Sequence, residues 1–357
     1  MTLPQVVIVG AGVIGTMLAY ELSLHHLQVI VFDSAQPGEG ATAAALGVMM
    51  AVCSQKLKGN LVSLRLQSLQ LYEKLVPKLI ELTGQKIQFN RTGILCLYRS
   101  ELAETKSQSL IATRQSQGFD LQWLNQAEIQ AQYPQILAES GLYSAQDRAI
   151  APQELISALV LAAQQNGVKF ELNSPITNLN QLPQADFTVI TAGLGSNQIL
   201  ANLGITAPLI GVGGQAIALE LLGLNLQTAI HAETETGDIN LVPLGSDRYW
   251  LGATVEFDVQ NLPREENTKN LLEQGISFCP QLQEAKILST WAGYRPRPQF
   301  QRSPILGFLP NFPNLLIATG HYRNGILMAP ITAQIIADLI RFGDSPLPWR
   351  EFSLVRD

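Results

Sequence analysis

QVVIVGAGVIGTMLAYELSLHHLQVIVFD, residues 5–33, is the stretch of sequence that decides the fold. Residues 5–9 are rich in β-branched side chains and precede a glycine, and residues 13–25 then repeat apolar side chains at helical spacing. Residues 28–32 form another short apolar run, which predicts a second buried strand. Two parallel strands joined by a helix make a βαβ unit with a right-handed crossover.

Three glycines lie between the first predicted strand and the helix, in the order GAGVIG. Gly10 permits a tight turn, Gly12 lets the backbone approach a pyrophosphate, and Gly15 allows the helix to pack closely on the strands. Asp33 ends the second strand, where a carboxylate accepts hydrogen bonds from an adenosine ribose and disfavours a 2′-phosphate. The pattern therefore predicts a Rossmann-type dinucleotide site, with the N-terminus of the helix facing the phosphates.

A second glycine-rich segment, GEGATAAALGVMM at residues 38–50, follows this unit. It supplies another turn suited to a phosphate, at Gly38, Gly40 and Thr42. We expect a helix of alanines after this turn, with Met49 and Met50 serving as packing residues.

The charge balance and the cysteine content limit the kinds of binding partner and the cellular location that the sequence predicts. The chain has 23 basic and 29 acidic residues, a formal charge of −6, and lacks the electrostatic footprint of a nucleic-acid-binding protein. Its three cysteines, Cys53, Cys96 and Cys279, are odd in number and far apart in sequence, which indicates reduced thiols and a cytoplasmic location. The first twenty residues carry no charge, but their glycines fit a phosphate turn better than a membrane span, so we predict no integral membrane segment.

The order of elements predicts two domains in a chain of 357 residues. Helical and buried-strand patterns alternate in residues 1–85, 146–207 and 301–357, which we assign to a discontinuous Rossmann-type domain with a parallel sheet. Residues 86–98 carry short candidate strands followed by a polar helix at 100–117, and residues 208–300 are dominated by candidate strands. We assign 86–145 and 208–300 to a substrate domain on a mostly antiparallel sheet. The expected fold class is α/β with an α+β second domain.

Three further motifs, combined with the glycine fingerprint, carry a family resemblance: TAGLGS at residues 191–196, WAGYRP at 291–296 and GHYRNGILMAP at 320–330. With them the chain resembles the D-amino-acid-oxidase superfamily of FAD-dependent oxidoreductases, and most closely the glycine oxidases. The resemblance is strongest at the last motif and loose across residues 86–145 and 220–285.

The resemblance implies non-covalently bound FAD and a set of residues that bind it. Residues 40–47 would wrap the cofactor, with Thr42 near the pyrophosphate, and the last motif would lie beside the isoalloxazine ring. The adenine contact would come from a strand near Val168 or Ile176. The predicted cofactor residues are Gly10, Gly12, Val13, Ile14, Gly15, Asp33, Ser34, Gly40, Ala41, Thr42, Ala45, Leu46, Gly47, Ile176, Ala192, Gly193, Arg323, Asn324, Gly325, Ile326 and Leu327.

The resemblance also implies the residues that bind a substrate. Arg295, at the end of a strand predicted to be buried, stands where glycine oxidases carry the arginine that binds the carboxylate, and Arg323 matches a second arginine of the family. A planar guanidinium suits this task because it pairs with both carboxylate oxygens. Asn240 replaces a tyrosine of the family, so the pocket is expected to be roomier or completed by a tyrosine, the candidates being Tyr249, Tyr294 and Tyr322.

The remaining candidates for chemistry are few. The four histidines show no metal-ligand spacing, so no metal is predicted, and no GxSxG elbow indicates a serine hydrolase. His321 is a candidate for the site beside Arg323 or a structural histidine, and Arg297 and Arg302 are candidate rim residues.

The reaction that the resemblance implies is oxidative deamination of a small amino acid such as glycine, sarcosine or a small D-amino acid. A hydride would pass from Cα to flavin N5, giving an imino acid, then an oxo acid and ammonia. Dioxygen as acceptor would yield hydrogen peroxide, whereas another acceptor would make the enzyme a dehydrogenase. A 2-hydroxy-acid dehydrogenase, the FAD oxidase unit of a tRNA-modifying protein and a non-catalytic flavin-binding subunit remain alternatives, and a homo-oligomer is possible.

Overall fold

The computed structural model describes residues 4–98, 102–206, 208–234, 237–258 and 263–354. The strands, numbered in chain order, are β1 Gln5–Val9, β2 Gln28–Phe32, β3 Val48–Met49, β4 Phe89–Asn90, β5 Ile94–Tyr98, β6 Leu121–Asn125, β7 Ser140–Ser144, β8 Arg148–Ile150, β9 Lys169–Glu171, β10 Phe187–Ile190, β11 Leu209–Glu220, β12 Ala229–Thr234, β13 Gly237–Gly245, β14 Arg248–Gly252, β15 Lys286–Pro298, β16 Ile305–Leu309 and β17 Phe312–Thr319. The helices are α1 Val13–Ser23, α2 Asn60–Thr83, α3 Leu102–Ser116, α4 Gln126–Gln132, α5 Pro152–Gln165, α6 Ser196–Asn202, α7 Glu265–Phe278 and α8 Gly325–Phe342.

The N-terminal strand lies in the middle of a six-stranded sheet with the order β16-β17-β10-β1-β2-β9. All pairs are parallel except the edge pair β16–β17. Helix α1 packs against α5 and α8, and α2 packs against the same two helices. Strand β1 is apolar on both faces because both faces are covered, which is the usual condition of parallel sheets.

A second, eight-stranded sheet has the order β15-β11-β14-β13-β12-β5-β7-β6. Its pairs are antiparallel except for β12 with β5, which run parallel. Helix α7 covers part of one face and contributes Leu271 and Phe278 to a separate core cluster. The predicted fold class is confirmed, whereas the domain boundaries remain a proposal.

The segment of alanines after the second glycine turn is not a helix, so that prediction was wrong. Residues 41–44 form turns, and Met49 lies in the short strand β3, which pairs with β8. Gly47 adopts a φ of +71°, and a Cβ there would overlap the carbonyl oxygen of Ile150. Helix propensity is a weak prior, and this close approach of two backbones overrides it.

Three strands of the eight-stranded sheet were missed by the sequence patterns: β6, β7 and β12. Their sequences, LQWLN, SGLYS and AIHAET, are short and contain few β-branched residues. They are strands because their neighbours in the sheet supply hydrogen-bond partners, a tertiary effect that propensity does not report.

Helix α8 is the core helix of the six-stranded layer. Within the described residues, only the segment Tyr322–Phe342 is long and apolar enough to cross a membrane, and 72% of its most apolar window is buried inside the fold. Such burial is typical of a helix that packs against its own protein.

The irregular segment 50–57 is held by charged side chains. The carboxylate of Asp147, which is fully buried, accepts hydrogen bonds from the backbone N–H groups of Ala51, Val52 and Cys53 at 2.7, 2.9 and 2.8 Å. The guanidinium of Arg114, also buried, donates to the carbonyl oxygens of Val52, Ser54, Lys56 and Leu57. These contacts satisfy backbone groups that would otherwise be buried without partners.

Replacing Asp147 with Asn should destabilise the fold. The amide offers one acceptor oxygen where the carboxylate offers two, and its NH₂ group would face a backbone donor, so we expect a loss of about 3 kcal/mol or more. Urea unfolding measures this loss, with the exposed Glu139→Gln as a control that removes one charge elsewhere. Equal stability of the two variants would contradict the role given to Asp147.

Candidate functional site

A cavity of about 1250 Å³ opens where the carboxyl ends of β1, β10 and β17 meet the eight-stranded sheet. Its wall combines the β1–α1 turn, residues 33–50, the segments after β9, β10 and β17, and strands β13 and β15. Sites for drug-sized ligands usually measure roughly 300–1,000 Å³, so this cavity has room for a dinucleotide together with a small substrate.

The predicted cofactor residues converge on this cavity. All of them line its wall except Gly15, which lies beneath the turn. Of the two positions considered for the adenine contact, Ile176 lines the cavity, whereas Val168 is buried in the main core. Their binding roles remain predictions.

The N-terminus of α1 faces the cavity. Its N-cap residue is Gly12, no acidic residue lies in its first turn, and no side chain of the cap itself accepts a hydrogen bond. The Thr42 hydroxyl, which is predicted to lie near the pyrophosphate, accepts from the backbone N–H of Val13 at 3.1 Å. A helix N-terminus without a protein anion attracts phosphate oxygens through its dipole and its N–H groups.

The three glycines of the turn differ in what a side chain would meet. Gly10 has a φ of +113°, and a Cβ there would lie 2.7 Å from the backbone of Thr191. A Cβ at Gly15 would overlap the carbonyl oxygen of Gly10. At Gly12 it would meet only the Thr42 hydroxyl at 3.5 Å, an ordinary contact. The protein's own packing therefore requires Gly10 and Gly15, whereas Gly12 leaves open a surface that a ligand can approach.

Asp33 is held at the edge of the turn. Its Oδ2 accepts from the N–H of Ala11 at 2.6 Å, and its Oδ1 accepts from the N–H of Ala35 at 2.9 Å. Oδ1 also accepts from the Ser34 hydroxyl at 3.5 Å, whereas Oδ2 keeps a second lone pair that can accept a hydrogen bond from a ribose. These backbone hydrogen bonds also stabilise the β1–α1 turn, a role of Asp33 that the glycine motif alone did not predict.

The eight-stranded sheet touches the second glycine-rich segment. The indole Nε1 of Trp291 donates to the carbonyl oxygen of Ala44 at 3.3 Å, and a Cβ at Gly293 would overlap Cβ of Ala44. Strand β15, which carries Arg295, is thereby tied to the wall predicted to wrap the cofactor.

The start of α8 also lines the cavity. Its N-cap is Asn324, and its first turn contains no acidic residue. Tyr72 of α2 donates a hydrogen bond from its hydroxyl to the carbonyl oxygen of Ile326 at 2.5 Å and fixes this end of the helix. A second helix N-terminus therefore faces the cavity, a location that stabilises negative charge.

Arg295 projects into the cavity from β15. Its Nη1 donates to the carbonyl oxygens of Gly213 at 2.9 Å and Thr254 at 3.1 Å, and no carboxylate of the described residues lies within 4.0 Å. Gly214 leaves the space that the guanidinium fills. Burial and the neighbouring Arg323 lower the pKa of Arg295 to about 10, so it is charged at neutral pH. Strand β15 itself is a partly exposed edge strand, so the prediction that it is buried was wrong.

Arg323 has an acidic partner. Its Nη1 lies 3.4 Å from Oδ2 of Asp238, and both side chains are 42% exposed in the cavity wall. The guanidinium also lies 5.7 Å from the centre of the Tyr322 ring. Arg323 is therefore placed in the predicted site, but its charge is compensated.

Asn240 also lines the cavity, beside His231 of the neighbouring strand. The Asn240 Oδ1 lies 3.0 Å from Nδ1 of His231, and its Nδ2 donates to the carbonyl oxygen of Gly252 at 3.2 Å. Tyr294 and Tyr322 reach the wall, whereas Tyr249 is buried in the core of the eight-stranded sheet.

Of the other candidates, His321 lines the cavity, whereas Arg297 and Arg302 do not. His321 is buried, its Nε2 lies 3.0 Å from the Thr332 hydroxyl, and burial lowers its pKa to about 3, which keeps it neutral. Arg297 lies between the rings of Phe257 and Tyr322, and Arg302 is exposed.

Sequence reasoning missed several residues of the wall, among them Arg65, Gly214, His231 and Asp238. Arg65 donates from its guanidinium to the carbonyl oxygen of Met50, so it belongs to the contacts that hold residues 50–57. Asp238 stands two residues before Asn240 on the same strand. Residues two apart on a strand face the same side, and this spacing could have identified Asp238 from the sequence.

Comparisons with known proteins agree with this geometry. The profile of a family described as FAD dependent oxidoreductase matches residues 5–339. Glycine oxidase of Geobacillus kaustophilus is 28% identical over 370 residues, covering 99% of this chain and 97% of that protein. The crystal structure of glycine oxidase from the same organism superposes with a TM-score of 0.90 at 26% identity, covering 99% of both chains. Bifunctional protein ThiO/ThiG of Synechocystis sp. is 32% identical over 356 residues, covering 95% of this chain and 52% of that protein.

Alanine substitutions of the three glycines should separate folding from FAD binding. Gly10→Ala and Gly15→Ala collide with backbone atoms, and we expect each to cost about 2 kcal/mol or more of unfolding free energy. Gly12→Ala should cost no more than about 1 kcal/mol, the usual effect of a poorer N-cap, because its backbone is extended.

The measurement compares urea unfolding of the apoproteins with flavin absorbance per purified protein. Gly12→Ala should be folded and depleted of FAD. A folded Gly12→Ala variant that retains full FAD occupancy would show that the pyrophosphate does not lie against this residue.

Proposed function

The chain belongs to the family of FAD-dependent oxidoreductases, and from this premise we propose that it oxidises the carbon–nitrogen bond of a small amino acid such as glycine, sarcosine or a small D-amino acid. One observation carries the proposal. The guanidinium of Arg295 is charged, buried on one side by backbone carbonyls and free of any acidic partner within 4.0 Å among the described residues, and it faces the same cavity as the dinucleotide turn.

Arg295 is suited to hold the substrate's carboxylate. A cation in this position lacks a counter-ion, and a planar guanidinium pairs with two carboxylate oxygens at once. Its hydrogen bonds to the carbonyl oxygens of Gly213 and Thr254 fix the orientation of the planar guanidinium. The carboxylate is therefore anchored, and the adjacent Cα–N bond is confined to the part of the cavity between β13, β15 and the start of α8.

Orientation and exclusion of water are the contributions of this chain. FAD, when bound, supplies the electron acceptor for the substrate's α-hydrogen and bonding pair. Tyr294 and Tyr322 line the same wall as Arg295, and the hydrogen bond from Trp291 to Ala44 joins strand β15 to residues 38–50. Holding two reactants in a fixed geometry is worth several kcal/mol of activation free energy.

The product of this oxidation is an imino acid, which hydrolyses to an oxo acid and ammonia. With dioxygen as the final acceptor, hydrogen peroxide forms; with a quinone or protein carrier, the enzyme is a dehydrogenase. The fold's similarity to glycine oxidases supports the amine reaction over oxidation of a 2-hydroxy acid. The cytoplasmic location, the domain boundaries and a homo-oligomer also remain proposals.

Anaerobic titration tests the reaction directly. The holoenzyme is mixed with glycine, sarcosine, D-alanine, D-proline and 2-hydroxyglutarate, and bleaching of the flavin is recorded. We expect at least one amine to bleach it. Bleaching by the hydroxy acid alone would replace the proposal with a 2-hydroxy-acid dehydrogenase, and bleaching by none of them would favour a non-catalytic flavin subunit.

Arg295→Gln should impair substrate recognition while FAD stays bound. Loss of a charged partner for a carboxylate costs about 2–5 kcal/mol, so we expect kcat/KM for the best amine to fall by roughly 100-fold or more. Arg295→Lys should recover part of kcat/KM, because lysine restores the positive charge but cannot pair with both carboxylate oxygens as a planar guanidinium does. Arg302→Gln, an exposed arginine nearby, is the control. Unchanged turnover of Arg295→Gln would place the carboxylate elsewhere.

A further inference from the structure

Strand β13 presents two polar side chains to the cavity. Asp238 and Asn240 are two residues apart and both line the wall, so they lie on the same face of the strand. His231 stands opposite Asn240 on β12 and forms a side-chain contact with it. This polar wall carries one negative charge, at Asp238.

The negative charge lies beside the second guanidinium of the site. Asp238 Oδ2 is 3.4 Å from Nη1 of Arg323, and the Tyr322 ring holds the same guanidinium from another side at 5.7 Å. Two separate contacts thus keep Arg323 in the wall. Removing one of them leaves the other, so Arg323 would stay near the cavity without Asp238.

Arg295 contrasts with Arg323 because its contacts are to carbonyl oxygens alone. Burial, together with the charge of Arg323, lowers the pKa of Arg295, so the two guanidiniums act on each other. Arg65, the third arginine of the wall, is engaged by Met50 and Ser54 in a different segment. The part of the cavity around Arg295 therefore contains two guanidiniums, of which one is compensated by a carboxylate of the protein.

Resting on the proposed function, we propose that Asp238 is a specificity-determining residue: by pairing with Arg323, it restricts the site to amino acids with a single carboxylate and excludes dicarboxylic ones. A second carboxylate approaching Arg323 must displace Asp238 or lie beside a like charge. Both are unfavourable, and a repulsive element of this kind discriminates between ligands that share the attractive contact to Arg295.

The Asp238–Arg323 ion pair is partly exposed, so its contribution to the free energy of unfolding is small. Its effect on selectivity is larger, because the approaching ligand brings a second negative charge to the same place. Without Asp238, the guanidinium of Arg323 is available for a charge-assisted pair with the second carboxylate.

Binding of unreactive carboxylates to the holoenzyme provides the test. Acetate represents a ligand with one carboxylate, and malonate and succinate represent ligands with two. Each is titrated into the wild type, Asp238→Asn, the double variant Asp238→Asn/Arg323→Gln and Arg295→Gln. The change in the flavin absorption spectrum gives Kd without any turnover.

We expect Asp238→Asn to raise the affinity for malonate or succinate, relative to acetate, by about tenfold or more. The double variant should lose this gain because the released guanidinium is absent. Glu265→Gln, which removes an exposed charge from a helical pair with Lys269, is the matched control and should leave the ratio at its wild-type value. FAD occupancy and thermal unfolding of each variant establish that the fold is intact.

The outcomes separate this inference from the proposed function. Suppose that acetate binds through Arg295 but Asp238→Asn leaves the affinity for malonate or succinate relative to acetate unchanged. The role of Asp238 is then overturned, and the proposed function is not. A gain that persists in the double variant also overturns the role of Asp238, since Arg323 would not be the receiving cation. Failure of every carboxylate to bind in every variant overturns both proposals.

Discussion

The structure depends on the close approach of helix α1 to strand β1. Gly15 lies against the carbonyl oxygen of Gly10 with no room for a methyl group, and Gly10 lies against the backbone of Thr191. This packing brings the N-terminus of α1 over the carboxyl ends of β1 and β10, where the cavity begins. Because those backbones are already in contact, a ligand can approach the turn closely only at Gly12. A phosphate group is therefore expected to bind there.

The second sheet completes the cavity through contacts that are equally close. Strand β15 reaches the turn segment through Trp291 and Gly293, and it directs Arg295 into the space left by Gly214. Strand β15 therefore connects the side of the cavity suited to a dinucleotide with the side suited to a carboxylate. A shift of β15 would move both, which links cofactor binding to the position of the substrate.

Charge sets the chemistry of the site. Two helix N-termini and the guanidinium of Arg295 present positive potential to the cavity, while Asp33, Glu39 and Asp238 place negative charge in its wall. Asp33 is held by backbone N–H groups, and Asp238 is paired with Arg323. A bound anion thus has a small number of favourable positions, which is how a large cavity can orient a small substrate.

By itself, the sequence determined the βαβ unit, the dinucleotide turn, the long helices and the motifs that carry Arg295 and Arg323. These features depend on the conformations of consecutive residues, such as the positive φ of Gly10 or the apolar period of α8, and local pattern reports them well. The alanines after Thr42 were misread as a helix, because residues 41–44 form turns and the backbone of Gly47 lies against the carbonyl oxygen of Ile150. Only the tertiary structure decided that Arg323 is paired while Arg295 is not: the partner Asp238 lies 85 residues away in the chain, and pairing across that separation is set by the register of a distant strand.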